Sequence, residues 1–278
     1  MAQPDSPHPT TDFAHAQLGS TGMPVCRLGL SATYRPGERT VLQALDEGVN
    51  YLFAYGIDGQ MIRALRAGFP SRREQLVLAT GAYNLGLGHP SLRRTLEKRL
   101  RQFRTDYIDV FLFLGVMKEA HFPARTRDEL CRLREEGKVR AVGLSCHDRQ
   151  FAGRLAAEGA LDVFMIRYNA AHRGAEQEIF PHLEAHRPGV VSYTATRWRA
   201  LLRRPRGWPK DGPVPTAAQC YRFVLSNPQV HVCMSAPSNP AQLAQNLAAL
   251  RQGPLPPEEL EFMRRFGDAV HREQRWFM

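Results

Sequence analysis

The sequence predicts an α/β protein: a single (β/α)8, or TIM, barrel with a C-terminal helix. Its 278 residues suit one such barrel, which runs from roughly 200 residues upward. Eight short apolar runs alternate with amphipathic stretches along the whole chain, as in a parallel sheet buried on both faces. The Gly-rich first turn of an open doubly wound sheet is missing.

In chain order, residues 1–14 are expected to form a disordered tail, and 15–278 the barrel. The expected strands are Pro24–Leu30, Val49–Tyr55, Gln75–Thr80, Tyr107–Leu114, Val139–Cys146, Asp162–Tyr168, Gly189–Ala195 and Val230–Ala236. Each is short, continuous and rich in Val, Ile, Leu or Phe, which marks a buried parallel strand. Between them, Leu92, Leu96, Leu100 and Phe103 recur at helical spacing, as do Leu243, Leu247 and Leu250. The longest connection, Arg197 to Val214, follows the seventh strand and so falls on the catalytic face of a barrel. Pro256-Pro257-Glu258-Glu259 opens a terminal helix expected to reach about Arg275.

Composition narrows the function classes. Hydrophobic residues make up 43% and charged residues 23% of the chain, as in a soluble globule rather than a disordered or fibrous one. Apolar runs such as Tyr107 to Val116 fall far short of the ~20 residues of a membrane span. The N-terminus has no apolar core of a secretion signal. Five cysteines without a CxxC pair argue against a disulfide framework, an iron–sulfur cluster or a Cys-rich zinc site. A cytoplasmic location is expected.

The net charge of +10 invites a nucleic-acid reading. Only four of the 37 cations are lysine, however, and the arginines are scattered through every helical segment. Compositional bias accounts for the charge, and nucleic acid is not expected. One cluster stands apart: Arg197, Arg199, Arg203, Arg204, Arg206 and Lys210, interleaved with Trp198 and Trp208. It reads either as a clamp for an acidic ligand or as a solvated basic loop.

Several stretches carry a resemblance. LGSTGMPVCRLGL, ALDEGVNYL, REQLVLAT, RTDYIDVFLF, EEGKVRAVGLS, IRYNAAHRGAE and SNPAQLAQNL resemble the aldo-keto reductase family in order and spacing, from Leu18 to Leu250. The resemblance implies a barrel that binds NADP(H) and moves hydride to or from a carbonyl. Hydride attack leaves an alkoxide that must be protonated and stabilised. The family uses a Tyr acid, a Lys that lowers its pKa from ~10, an Asp paired with the Lys, and a His that orients the carbonyl.

Here the family's Asp falls on Phe53, its Tyr on Asp58 or, with a three-residue slip, on Tyr55, its Lys on Gly81 and its His on Leu114. Standard carbonyl reduction is therefore not expected, because groups that act as a unit cost many orders of magnitude when removed. The cofactor side survives better. Ser145 stands where the family holds the nicotinamide amide, and Tyr193 where an aromatic ring stacks on it. Ser238, Gln242 and Asn246 match positions that contact phosphate and adenine. Against these, Cys146 replaces an Asn, Met165 a Gln, and Ala236 a basic residue that some members use. The sequence supports either a pocket protein, such as a pseudoenzyme, sensor or partner, or an enzyme using new groups. Tyr55 and His147 are then the first catalytic candidates, and Tyr83 a further mouth-lining phenol.

Other signals are weaker. Cys146 beside His147 suggests a nucleophile and base, but strand neighbours point to opposite faces, and His147-Asp148 also suits a helix start. The GLSCHD stretch is similar to a branch of the family that carries an iron–sulfur tail, which this sequence lacks. Gly86-Leu87-Gly88 reads as a turn. His182 and His186, one turn apart on an expected exposed helix face, have no third metal ligand. Asp106 and Asp109 open the fourth strand, on the stability face of a barrel.

Overall fold

The computed structural model describes residues 12–55, 57–83 and 91–273. A short antiparallel hairpin, β1 (His15–Gln17) and β2 (Pro24–Cys26), precedes the barrel. Eight parallel strands then close on themselves: β3 (Leu28–Ser31), β4 (Tyr51–Phe53), β5 (Val77–Tyr83), β6 (Ile108–Val116), β7 (Val139–Cys146), β8 (Val163–Arg167), β9 (Gly189–Tyr193) and β10 (Val232–Ser235). The last pairs with the first through Cys233 opposite Leu28. The expected barrel is thus present.

Alternation along the strands divides the core in two. Val77, Ala79, Val110, Leu112, Ala141 and Val191 fill the barrel interior. Leu78, Phe111, Val142, Phe164 and Val190 face the surrounding helices. Leu18, Met23 and Val25 of the hairpin join the interior group, so the hairpin plugs the N-terminal end of the barrel.

Helices follow the strands, among them α1 (Glu38–Asp46), α3 (Leu92–Phe103) and α4 (Ala124–Glu135), and several begin where the sequence supplies caps. In α2 (Gly59–Arg72), Asp58 accepts from the N–H groups of Gln60 and Met61. In α5 (Arg149–Glu158), Asp148 accepts from Phe151. Thr216 and Gln219 form a capping box on α7 (Ala217–Leu225), and Asn239 with Pro240 opens α8 (Pro240–Arg251). The terminal helix α9 spans Pro257–Glu273; Arg275, where its end was expected, lies outside the described residues, as do residues 1–11 of the expected tail and the Gly86–Gly88 turn.

Two expectations need correction. The run Pro24–Leu30 is two strands, broken at Arg27. There the backbone N–H turns to Ala14 O, and the guanidinium donates to Leu225 O and Val230 O. A continuous apolar run does not encode that its halves pair with different partners. Nor do His182 and His186 share a helix face. After β8 there is only one helical turn, α6 (Ala175–Glu178), then a 3-10 turn at Phe180–His182, and no cluster of metal-ligating side chains is found among the described residues.

Candidate functional site

The C-terminal ends of the barrel strands surround a cavity of about 780 Å3, the position at which barrel folds place their active sites. All seven residues singled out from sequence, Tyr55, His147, Ser145, Tyr193, Ser238, Gln242 and Asn246, line it, as does Tyr83. They arrive from four strand ends and the first turns of α8, so the barrel closure, and not local sequence, brings them together.

Along β7 the side chains alternate as the pleat requires. Ser145 faces the cavity, while Cys146 packs among the apolar residues between barrel and helices. Cys146 Sγ donates to Asp148 O at 3.1 Å, and burial pushes the thiol up to about 12. A reactive Cys146–His147 pair is therefore ruled out: the thiol is protonated and turned away. Past the strand end, His147 returns to the cavity wall, while Asp148 caps α5; the helix-start reading of His147-Asp148 holds for Asp148 alone.

Two contacts define the polar part of the site. Tyr193 OH lies 3.1 Å from His147 Nε2. Across the mouth, Tyr55 OH lies 3.0 Å from Thr33 Oγ1, which in turn meets Ser31 Oγ at 2.7 Å. The Tyr55 ring stacks on Tyr83 at 6.1 Å. Burial lowers the pKa of His147, helped by the charge of Arg167, so its imidazole is neutral at pH 7. Burial also pushes Tyr193 up to about 12, against a Ser145 hydrogen bond and Arg167, and raises Tyr83. In the resembling family, by contrast, a lysine lowers the acid phenol.

The four positions to which the resemblance assigns the reductase groups are otherwise engaged. Phe53 and Leu114 are 1% and 3% exposed and form part of the cavity floor. Asp58 caps α2 through its Oδ1. At Gly81 a Cβ would lie 2.2 Å from the Leu112 carbonyl oxygen, closer than any side chain permits.

The arginine loop is reoriented relative to the expectation of a clamp. Arg197 is 1% exposed and turns inward, donating to His172 Nε2 at 3.0 Å and to Val270 O of α9 at 3.0 Å. Arg204 donates to the carbonyls of Pro209 and Lys210, and the Arg206 N–H to the Glu273 carboxylate. Trp198, Arg199 and Leu202 are the loop residues that line the cavity, and Arg199 is its only cation among the described residues. Trp198 and Arg199 sit in a left-handed backbone segment with φ of 60° at Thr194, 49° at Arg197, 50° at Trp198 and 71° at Arg199. Such conformations cost about 1–3 kcal/mol each. The buried Arg197 anchor and an Asn169 Nδ2 bond to Thr194 O at 2.9 Å hold the turn in place.

Thr33, Tyr34, Tyr221 and Gln245 also line the cavity and were not singled out from sequence. Gln245 could have been found, since it follows Gln242 by three residues on the same helix face. The others lie in loops or on a helix that no pattern ties to the site.

Partly buried neutral histidines give the fold a pH dependence. His231 Nδ1 accepts the Val190 N–H at 3.0 Å, and His172 Nε2 accepts from Arg197; neither atom can accept once protonated. Burial, aided by Arg27, holds His231 down at about 4; burial, aided by Arg167 and Arg197, holds His172 down at about 3. The unfolded chain takes up these protons near pH 6.5. Stability is therefore full above that pH and is lost as pH falls toward 4. The loss is steepened by at most about 1.4 kcal/mol per pH unit for each histidine, less where solvent screens. Urea midpoints at pH 7 and pH 4.5 check this, and His231→Gln should flatten the slope.

Comparison with known proteins agrees with this geometry. The model of the aldo/keto reductase family matches residues 36–267. An aldo-keto reductase of Mycobacterium sp. (strain KMS) is 29% identical over 131 residues, covering 45% of this chain and 47% of that relative, about half its length. The holo form of an aldo-keto reductase from Bacillus halodurans superimposes with a TM-score of 0.75 at 21% identity, covering 94% of this chain and 99% of that one. A Klebsiella pneumoniae aldo/keto reductase in complex with NADP and acetate gives a TM-score of 0.72 at 22% identity, covering 95% and 99%. At those identities the structures speak for the fold alone.

Proposed function

The chain belongs to the aldo/keto reductase family, and from that premise we propose that it is a member which has lost standard carbonyl reduction but keeps a small-molecule pocket of NADP(H) type. The carrying observation is the cavity floor: Phe53 and Leu114 are buried and apolar where the reaction needs charge, and Gly81 has no room for a side chain. A pseudoenzyme, sensor or partner protein is the resulting reading. We place it in the cytoplasm on the strength of five free cysteines; no helix of the described residues is long and apolar enough to cross a membrane.

The donor set fits a dinucleotide. Ser145 and Tyr193 stand on one side of the cavity, and Ser238, Gln242 and Asn246 on the other. Asn246 is 8% exposed and lines the cavity. Ser238 and Gln242 lie at the N-terminal end of α8, whose dipole favours a phosphate, and the Ser238 N–H donates to Gln242 Oε1 at 2.8 Å. A nucleotide held there would carry a transferable hydride, which the missing reductase groups would leave unused. Ser145 and Tyr193 would orient the ring end, Ser238, Gln242 and Asn246 would hold the adenine and phosphate end, and Arg199 at the rim would add one cation for an acidic group.

A second reading is favoured by one contact. His147 and Tyr193, 3.1 Å apart in the cavity wall, could hold and pass a proton, with Tyr55 as a second donor. The protein would then be a divergent NADP(H)-dependent oxidoreductase or a repurposed barrel enzyme.

Titration with NADPH, read by nicotinamide fluorescence and by thermal shift, tests both. The expected result is saturable binding without turnover across a panel of aldehydes and ketones. Gln242→Ala and Asn246→Ala should each weaken binding about fivefold, one hydrogen bond's worth. No binding removes the nucleotide reading. Turnover that Tyr55→Phe or His147→Ala lowers by a hundredfold or more supports the enzyme, and turnover indifferent to both removes those residues as catalysts.

A further inference from the structure

Among the described residues the exposed large apolar side chains are Tyr34, Leu42, Ile57, Tyr83, Met117 and Trp198, 37–87% exposed. Leu42 lies on α1, one of the helices around the barrel. The other five stand at one end of it. Tyr34 follows β3, Ile57 follows β4, Tyr83 ends β5, Met117 follows β6 and Trp198 follows β9. Closure of parallel strands turns all those ends to the same face, so five connections each raise one apolar side chain from it. Singly scattered residues of this kind need no explanation, whereas five gathered on one face mark a contact surface.

Three of the five are followed directly by a cation: Tyr34 by Arg35, Met117 by Lys118 and Trp198 by Arg199. Arg35, Lys118 and Arg199 are exposed, and no carboxylate pairs with them among the described residues. Carboxylates at this end are mostly engaged elsewhere. Glu38 meets Arg63 at 3.6 Å, Glu119 pairs with Arg154, and Asp58 and Asp148 cap helices. Asp211, in the long connection after β9, has Lys210 beside it. The face therefore combines separated apolar side chains with cations free to meet an outside anion.

A bilayer surface suits this arrangement better than a protein does. Protein contacts bury a continuous apolar core from which charge is depleted. Here the apolar residues are set apart around the opening of a cavity of about 780 Å3, with cations between them. Tryptophan and tyrosine settle at the headgroup level of a membrane, and cations beside them meet anionic lipid. The net charge of +10 draws the molecule toward such a surface. We infer that this end of the barrel is a docking surface for an anionic lipid bilayer. Tyr34, Ile57, Tyr83, Met117 and Trp198 enter the headgroup layer, while Arg35, Lys118 and Arg199 meet its phosphates. The chain lies on the bilayer and does not cross it. The inference depends on neither nucleotide binding nor turnover.

Co-sedimentation of the full chain with vesicles tests it, using phosphatidylcholine alone and phosphatidylcholine with about 30% phosphatidylserine at about 0.15 M salt. Saturable binding to the anionic vesicles is expected. It should be about tenfold weaker on phosphatidylcholine, and about tenfold weaker near 1 M salt, where charges are screened within ~3 Å. Arg35→Gln, Lys118→Gln and Arg199→Gln together should weaken binding about a hundredfold, roughly fivefold for each cation. Lys98→Gln, Arg101→Gln and Arg251→Gln, the same change of charge on α3 and α8, should weaken it less than about threefold. Ile57→Ser, at a position 87% exposed, should cost about tenfold, and Leu42→Ser nothing. Equal losses from the two charge triples, or indifference to Ile57→Ser, would mean attraction by net charge alone and overturn the inference. Absence of binding to the anionic vesicles does the same. Sedimentation velocity without lipid addresses the protein alternative. A dimer that Ile57→Asp dissociates, in a chain that ignores vesicles, assigns the face to a second copy and overturns the lipid reading.

Discussion

Gly81→Lys is expected to lower the melting temperature by roughly 6–12 °C and to yield no reductase. The substitution restores the residue that the resemblance assigns to this position, so intuition favours a gain of activity. The backbone forbids it. Gly81 of β5 is in register with Leu112 of β6, and a Cβ there would sit 2.2 Å from Leu112 O and 3.0 Å from Leu114 Cδ1. The first of these atoms belongs to the ladder itself, so it can move only if two barrel strands part. Overpacking of this kind costs about 3 kcal/mol, and each kcal/mol shifts the midpoint of a domain near this size by about 2–4 °C. Were the chain to accommodate the lysine, its ammonium would lie near Phe53 and Leu114 in place of an Asp and a His, and desolvation would lower its own pKa instead of that of a phenol. Gly81→Ala separates the two arguments, since it carries the steric cost without the charge and should lose a similar number of degrees. Reductase activity in the single Gly81→Lys variant would overturn the proposal that this barrel has left carbonyl reduction.

The barrel was legible because its signal is repeated eight times. Each buried parallel strand needs a short apolar run, and Val139–Cys146 coincides with β7 at both ends, bounded by the Gly137 turn and the Asp148 cap. Less legible was anything decided by a partner far along the chain. The three polar-edged residues of β1 gave no strand signal, because that hairpin exists only as a plug for an interior the barrel creates. Strand-end positions carried the candidate residues into one cavity, since a closed barrel turns all its strand ends to the same face. Their pairings were invisible: His147 meets Tyr193, and Tyr55 meets Thr33, across separations of 46 and 22 residues. The arginine loop misled for a related reason. Counting charges does not say which way they face, and Arg197 has its guanidinium buried against His172 and the end of α9.

Removing the carboxylate at the opposite end of the barrel has the largest expected effect on stability. Asp109→Ala should cost about 3–5 kcal/mol, the range for breaking a buried ion pair from one side. Asp109 is fully buried; its Oδ2 accepts from Arg73 Nη1 at 2.7 Å and from the Leu78 N–H at 2.9 Å, and its Oδ1 from Arg140 Nη1 at 2.9 Å. The two cations are not equivalent. Arg140 is 48% exposed and regains water when the carboxylate goes, so its pair is worth about 0–1 kcal/mol. Arg73 is 12% exposed, lies over the Tyr107 ring at 3.8 Å and donates to Tyr107 O at 2.8 Å. Its guanidinium cannot follow solvent without abandoning those contacts, and the Leu78 N–H cannot move at all. The loss therefore comes from Arg73 and the β5 backbone, which predicts an ordering in urea midpoints. Arg140→Ala should fall least, Asp109→Asn further because it keeps one acceptor oxygen but loses the charge, and Asp109→Ala furthest. Because Asp109 opens β6 at the end of the barrel away from the cavity, NADPH affinity at a temperature where the variants remain folded should match that of the parent. A variant that keeps its midpoint but loses the nucleotide would show that this carboxylate serves the site and not the barrel.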